Sequence, residues 1–426
     1  MRRATTLIAL TTGTALMLTA CGRDEGNGSG SDAAKTGKEI STDDVGGSID
    51  VWAMGAEGEK LPALAKKFEA ANDGVTVKVT AIPWDSAHDK FTTAITAGTT
   101  PGVAMVGTTW MGEFAGMDAL DPTPPSIDGS KFFSGAESTT QVQDTSYGVP
   151  WYVETRLVYY RTDIAEKAGY SQVPTDWEGF HQMTADMQKK GGATWGISLQ
   201  PGGVGSWQSV MPFAWSNGAE VATNKAYDFD NPEVGEAVSY YQSFFTDGIS
   251  DPQPPEGQTE ADFTSGAVPM FISGPWMMSI VEDVGGRGFA DKYDVAPVPA
   301  PQGGSSSSFV GGSNLAVFSD TENRDTSWAF VKWLTEPQTQ ISWYEQSSDL
   351  PSVQSAWDDE TLGGDEKLSV FGTALETAQA PPSFPTWEEV ITSFDTEMEK
   401  VTKSGEDPAK ALKTVQSQAE SIGTGQ

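Results

Sequence analysis

The order of apolar and polar positions predicts an α/β chain. Residues 49–54 alternate weakly and read as a strand. Over residues 59–72 the apolar side chains Leu61, Leu64, Ala65 and Phe68 recur at helical spacing, and Asn72-Asp73-Gly74 ends the run. Val75, Val77 and Val79 then alternate with Thr76, Lys78 and Thr80, as in a half-buried strand. Residues 86–97 predict a helix and residues 103–106 a short buried strand. Strand-helix-strand-helix-strand is the signature of a parallel sheet covered by helices.

A second α/β region follows. Residues 147–161 read as extended through Pro150, residues 162–168 and 176–190 as helices, and residues 196–199 as a strand. Further helices are predicted at 206–216, 232–246 and 258–265, with a strand at 268–272. Pro275 suits the first turn of a helix. Residues 303–308 are a Gly/Ser-rich surface loop, and residues 315–318 a strand. Helices are expected at 324–334, 337–345, 387–403 and 408–421. The chain has no internal repeat.

The N-terminus follows a different rule. Arg2 and Arg3 precede an apolar run over residues 6–20, shorter than the about 20 residues a membrane helix needs. A basic start, a short apolar stretch and small residues at its end make up a secretory signal peptide. Leu18-Thr19-Ala20-Cys21 resembles the lipobox of bacterial lipoproteins. That resemblance implies cleavage after residue 20, lipidation of the Cys21 thiol and stable anchoring by two or more acyl chains. An ordinary signal peptide followed by a chance cysteine is the alternative. Residues 21–47 are rich in Gly, Ser, Asp, Thr and Lys, too polar to fold, and are expected to be a flexible tether.

Composition narrows the chemistry. With 26 basic and 59 acidic residues the net charge is −33, which repels nucleic acid and disfavours an anionic ligand. Two histidines, His88 and His181, and one cysteine leave no His/Cys zinc spacing, and no EF-hand loop is present. Carboxylate-only calcium sites stay open, no metal-binding residue is singled out, and no cofactor is expected. There are 14 tryptophans, and Trp84, Trp110, Trp151, Trp207, Trp276 and Trp387 lie beside Gly, Pro or polar residues rather than in apolar runs. Each could simply pack, but together they suggest flat apolar faces of the kind a sugar ring stacks on.

Several segments, in order, resemble the bacterial extracellular solute-binding proteins of sugar ABC importers, in the maltose/trehalose-binding branch. They are Val51-Trp52-Ala53-Met54-Gly55, Tyr147-Gly148-Val149-Pro150-Trp151-Tyr152, Pro174-Thr175-Asp176-Trp177, Gly274-Pro275-Trp276, Gly311-Gly312-Ser313-Asn314-Leu315 and Trp328-Ala329-Phe330-Val331. The resemblance runs from about Ile49 to the C-terminus. It implies an α/β, two-lobed, periplasmic-binding-protein-like fold with the ligand in the cleft between lobes joined by hinge crossovers. The implied lobes are residues 48–153 with 311–334, and residues 156–308 with 340–426. Crossovers are implied near residues 153–156, at Val310 and near 334–340.

The candidate ligand residues follow from strand ends and from this resemblance. Glu57 lies in the turn after the first strand, at the carboxyl end where open α/β sheets bind ligands. There a carboxylate accepts from two hydroxyls, or else it stabilises a helix N-terminus. Trp84 and Asp85 follow the second strand, although Asp85 could equally cap the next helix. By resemblance Trp110 is a cleft aromatic, Tyr152 and Glu154 face the cleft at the first crossover, and Trp276 stacks on a sugar. Glu154 could instead pair with Arg156. Gln200 and Trp207 flank a Gly-rich turn. Gly311 and Gly312 let backbone approach a ligand, with Ser313 and Asn314 in reach of hydroxyls. Trp387, after Pro385-Thr386, is a further implied aromatic.

The expected function is capture of a di- or oligosaccharide, with α-glucosides among the candidates, and its unaltered delivery to the transmembrane subunits of an ABC permease. The protein would act as a lipid-anchored monomer on the outer face of the cell membrane. A secreted glycoside hydrolase, which needs two carboxyls ~5–9.5 Å apart, and a non-closing polysaccharide-binding surface protein are the competing classes.

Overall fold

Two sheets organise the chain, and the first is assembled from three separated stretches of sequence. The computed structural model describes residues 36–41, 45–223 and 225–426. Strands β1 (Gly47–Met54), β2 (Val75–Ile82) and β3 (Val103–Gly107) are parallel, with β1 between the other two. All five residues of β3 are buried, as a strand covered on both faces requires. The intervening helices Gly55–Ala71 and Trp84–Ala97 bury Leu61, Leu64 and Phe68, and Ala87, Phe91 and Ala94. After a short hairpin, β4 (Gln141–Val142) and β5 (Thr145–Ser146), the chain enters β6 (Val149–Thr155).

Only Arg156 separates β6 from β7 (Leu157–Arg161), yet the two strands belong to different sheets. β7 lies antiparallel between β8 (Met270–Ser273) and β9 (Tyr293–Ala296). β10 (Val310–Val317) then returns to the first sheet, antiparallel to both β3 and β6, and β11 (Leu350–Pro351) pairs with the other edge of β6. The first sheet runs β11-β6-β10-β3-β1-β2. One core surrounds that sheet, with Val51, Phe91 and Trp328, and another holds Phe180, Val210, Tyr241 and Phe394. A third joins them through Val153, Leu157, Val310 and Phe371. The fold is a two-lobed α/β fold.

Where the sheets meet, three chain segments run side by side. Ser308 Oγ donates to the Arg156 carbonyl at 2.8 Å and accepts from the Arg156 N–H at 3.3 Å. Gln379 N–H donates to the Ser308 carbonyl at 2.7 Å, and Val310 N–H to that of Gln379 at 2.9 Å. Segments this few and this extended can hinge through a handful of dihedral changes.

Several expectations are revised. Within the expected tether, Gly37 N–H donates to Thr123 O at 2.7 Å, Ser41 N–H to Asp325 Oδ2 at 3.0 Å and Gly46 N–H to Thr326 Oγ1 at 2.9 Å. Ile40 and Val45 pack on the first core, so residues 36–41 and 45–47 are docked. Residues 340–351 were expected in the second lobe but stay with the first sheet. Trp343 stacks on Trp151 at 4.8 Å, and Gln340 Nε2 donates to the Trp151 carbonyl at 2.5 Å. Residues 196–199 form a single bridge, Ser198 to Phe271, rather than a strand. Ser307 and Ser308 are buried by the crossover bonding instead of lying in a surface loop. The signal peptide, Cys21 and the first part of the tether lie outside the described residues.

Candidate ligand cleft

The first wall of the cleft grows from the carboxyl ends of the three parallel strands. Directly after β1, Gly55 takes φ +51°, and a Cβ there would lie 2.7 Å from the Trp84 indole, so only glycine lets the two loops close together. Glu57 follows in the first helical turn. Trp84, one residue beyond Pro83 after β2, is 41% exposed. Trp110 closes the short turn Thr108–Trp110 after β3 and meets Trp84 edge-on at 6.2 Å. His88 braces Trp110 at 5.3 Å and is itself tied to Glu113 Oε2 at 2.8 Å.

The floor is made by β6 and β10 in register. Tyr152 and Glu154 face Ser313 and Gly311. Gly312 has φ +109°, and a Cβ there would sit 2.2 Å from the Tyr152 carbonyl, so only glycine lets β10 pass this close to the backbone of β6. The second wall carries Trp276, 37% exposed, and the start of helix Trp207–Ser216. Asp395 anchors that start: it accepts from Gly205 N–H at 2.7 Å, Ser206 Oγ at 2.7 Å and Trp207 N–H at 2.9 Å. Arg156 reaches in from the crossover, donating to Glu154 Oε2 at 3.2 Å and Gln208 Oε1 at 2.6 Å.

These walls enclose a cavity of about 490 Å³, within the range of about 300–1,000 Å³ usual for small-molecule sites. Of the predicted residues, Glu57, Trp84, Trp110, Tyr152, Glu154, Trp207, Trp276, Gly311 and Gly312 line it. Five do not. Asp85 sits in the first turn of its helix and makes no cap bond. Gln200 turns away to hold the Gly-rich loop through the Val204 carbonyl at 3.1 Å. Ser313 is buried beneath the floor, and Asn314 is locked to Thr139 at 3.0 Å. Trp387 is wholly buried, edge-on to Trp207 at 5.5 Å, and is a core residue.

Sequence reasoning missed Asp349, Glu388, Asp395, Gln208 and Phe309, all of which line the cavity. No local motif marks them. With Glu57 and Glu154 they make the lining rich in carboxyls. Burial raises Glu57, partly offset by the neighbouring Tyr152 and Trp84. Burial also raises Glu388 and Asp395. Asp349 is pushed up to about 7 by burial and then by the charge of Glu57. Carboxyl and amide oxygens between aromatic faces suit a ligand that offers hydroxyl donors on its rim and C–H on its faces. Among the described residues no group of three or more His, Cys, Asp or Glu is placed to hold a metal ion.

Two α/β lobes around a cleft lined by aromatic faces and carboxyls are the architecture of a solute receptor. The chain belongs to the bacterial extracellular solute-binding proteins, whose family pattern matches residues 63–369. It is similar to the sugar-binding protein MalE of Xanthomonas citri, with 29% identity, a TM-score of 0.83, and 88% of this chain and 97% of that one covered. It is also similar to the GacH receptor of Streptomyces glaucescens, solved unliganded and with acarbose, at 26% identity and a TM-score of 0.76, covering 89% of this chain and 98% of that one. The galactooligosaccharide-binding protein of Bacillus subtilis is 23% identical over 409 residues, 93% of this chain and 92% of the relative.

Proposed function

We propose that the protein is the substrate-binding subunit of an ABC importer for a neutral di- or oligosaccharide. The observation that carries this reading is the cavity itself, where exposed faces of Trp84 and Trp276 stand on opposite walls above Glu57, Tyr152 and Glu154. Aromatic faces take the C–H side of pyranose rings and carboxylates take their hydroxyls. Binding between lobes 48–153 with 311–334 on one side and the second sheet on the other draws the lobes together. The loaded shape is then read by the permease, and the sugar is released chemically intact. Cys21 is the proposed lipid anchor and the protein acts as a monomer on the outer face of the membrane. No described helix is long and apolar enough to cross it.

A thermal-shift series with maltose, maltotriose, trehalose and diacetylchitobiose tests the reading, because a ligand of the native state raises apparent stability as RT ln(1 + [L]/Kd). At least one sugar is expected to raise Tm and to be recovered uncleaved. No shift with any of them removes the saccharide reading, and cleaved product transfers it to a hydrolase. Cys21→Ala is expected to release the protein from the membrane fraction, and retention with lipid label removes the anchor.

A further inference from the structure

The cavity holds a carboxyl whose surroundings give it a different task from that of Glu57. Helix Pro337–Ser347 ends at Ser348, which takes φ +68° and turns the chain sharply. The next residue, Asp349, is thereby delivered to the cavity floor with Glu57 and Tyr152. It is held from two sides. Trp343 Nε1–H donates to Asp349 Oδ2 at 2.9 Å, and Trp343 is fixed by its stack on Trp151. Immediately after Asp349, Leu350 pairs with Val153 and Pro351 with Tyr152. A carboxyl held this firmly in a ligand cavity is pre-organised for contact.

We propose that Asp349 is a specificity-determining ligand contact that acts as a hydrogen-bond donor to a ring or glycosidic oxygen, while Glu57 beside it accepts from a hydroxyl. This rests on reading the cavity as a saccharide site. Two carboxyls in one partly dry corner are not both ionised cheaply, so one keeps its proton. The charged and titratable groups facing Asp349 are Glu57 and Lys60 from helix Gly55–Ala71, and Tyr152 from β6. Its own helix adds Ser347 and Trp343, which stabilise the anion, as does Lys60. Burial and Glu57 outweigh them and bring the group to about 7; burial raises Glu57 too, but the Tyr152 and Trp84 donors beside it favour its anion and suit it to accept. A saccharide offers acceptor-only atoms at its ring and bridging oxygens, and a protonated carboxyl is the one acidic side-chain form that donates to them.

Calorimetric titration of the tightest-binding sugar of the same four, at pH 6, 7 and 8, decides the matter. A donor that titrates at about 7 predicts a wild-type Kd that weakens about tenfold from pH 6 to pH 8. Asp349→Asn keeps a donor and does not ionise, so its Kd is expected to be flat with pH and within about threefold of the wild-type value at pH 6. Asp349→Leu, with no donor, is expected to bind about tenfold or more weakly throughout. Glu57→Gln removes the neighbouring charge and is expected to move the midpoint to lower pH. A flat wild-type profile, or Asp349→Asn as weak as Asp349→Leu, overturns the inference. Where Asp349→Asn does not fold, the wild-type profile and the Glu57→Gln midpoint decide it. Failure of every sugar to bind wild type overturns the saccharide reading itself, a result distinct from binding without pH dependence.

Discussion

The Arg156 guanidinium carbon lies 4.6 Å from the centre of the Trp276 ring. Arg156 is the single residue between β6 and β7, so the exposed aromatic of the second wall is held by the chain at the point where the two sheets meet. The same guanidinium pairs with Glu154 on the floor. Cleft-lining groups and crossover backbone are therefore one connected unit.

Trp276→Ala is expected to weaken sugar binding by about 1–3 kcal/mol, the scale of burying a large apolar face. Folding should survive, since the ring is 37% exposed. Titration calorimetry checks this, and unchanged affinity would make Trp276 a packing residue.

Asp395→Ala is expected to destabilise the fold by about 1–3 kcal/mol or more, because two backbone N–H groups and the Ser206 hydroxyl lose their acceptor at the start of helix Trp207–Ser216. Urea unfolding measures it. Asp395→Asn, which keeps one acceptor oxygen, should cost less; equal losses in the two variants would argue that the charge, not the hydrogen bonding, is what the helix start requires.

Stability should also depend on Asp349. Its carboxyl rises from 3.8 to about 7 in the native protein, so the folded state holds this proton more tightly than the unfolded chain. Its contribution is then fully present below about pH 4 and is lost as pH rises through about 7, with an upper limit on the order of 4 kcal/mol. Asp349→Asn should therefore gain stability relative to wild type between pH 4 and pH 8. A difference in Tm that stays constant over this interval contradicts the linkage.

Small-angle scattering should show a smaller radius of gyration when the bound sugar is added. A ligand touching both walls stabilises only the closed arrangement, and that differential affinity shifts the population. Tight binding without compaction would point to a preformed platform and remove the hinge.

Local order settled much of this protein. Helices Thr162–Ala168, Pro232–Thr246 and Arg324–Leu334 match their predicted bounds because periodicity and caps are short-range signals; Asn231 Oδ1, for example, accepts from Val234 N–H at 2.9 Å. Glu57 and Trp84 were legible for a similar reason, since each follows a parallel strand, whereas Trp110 was placed by the family resemblance. The chain pattern did not separate Trp276 from Trp387. Trp276 directly follows Pro275 and Trp387 lies two residues after Pro385, yet one is 37% exposed in the cleft and the other is fully buried. That difference is made by Trp207 and Phe229, which close over Trp387. Asp349, Glu388 and Asp395 reach the cavity only because distant helices pack beside it. A sequence specifies which face of an element is apolar; which other surface meets that face, and which polar side chains are thereby left pointing into the gap, is decided by tertiary packing.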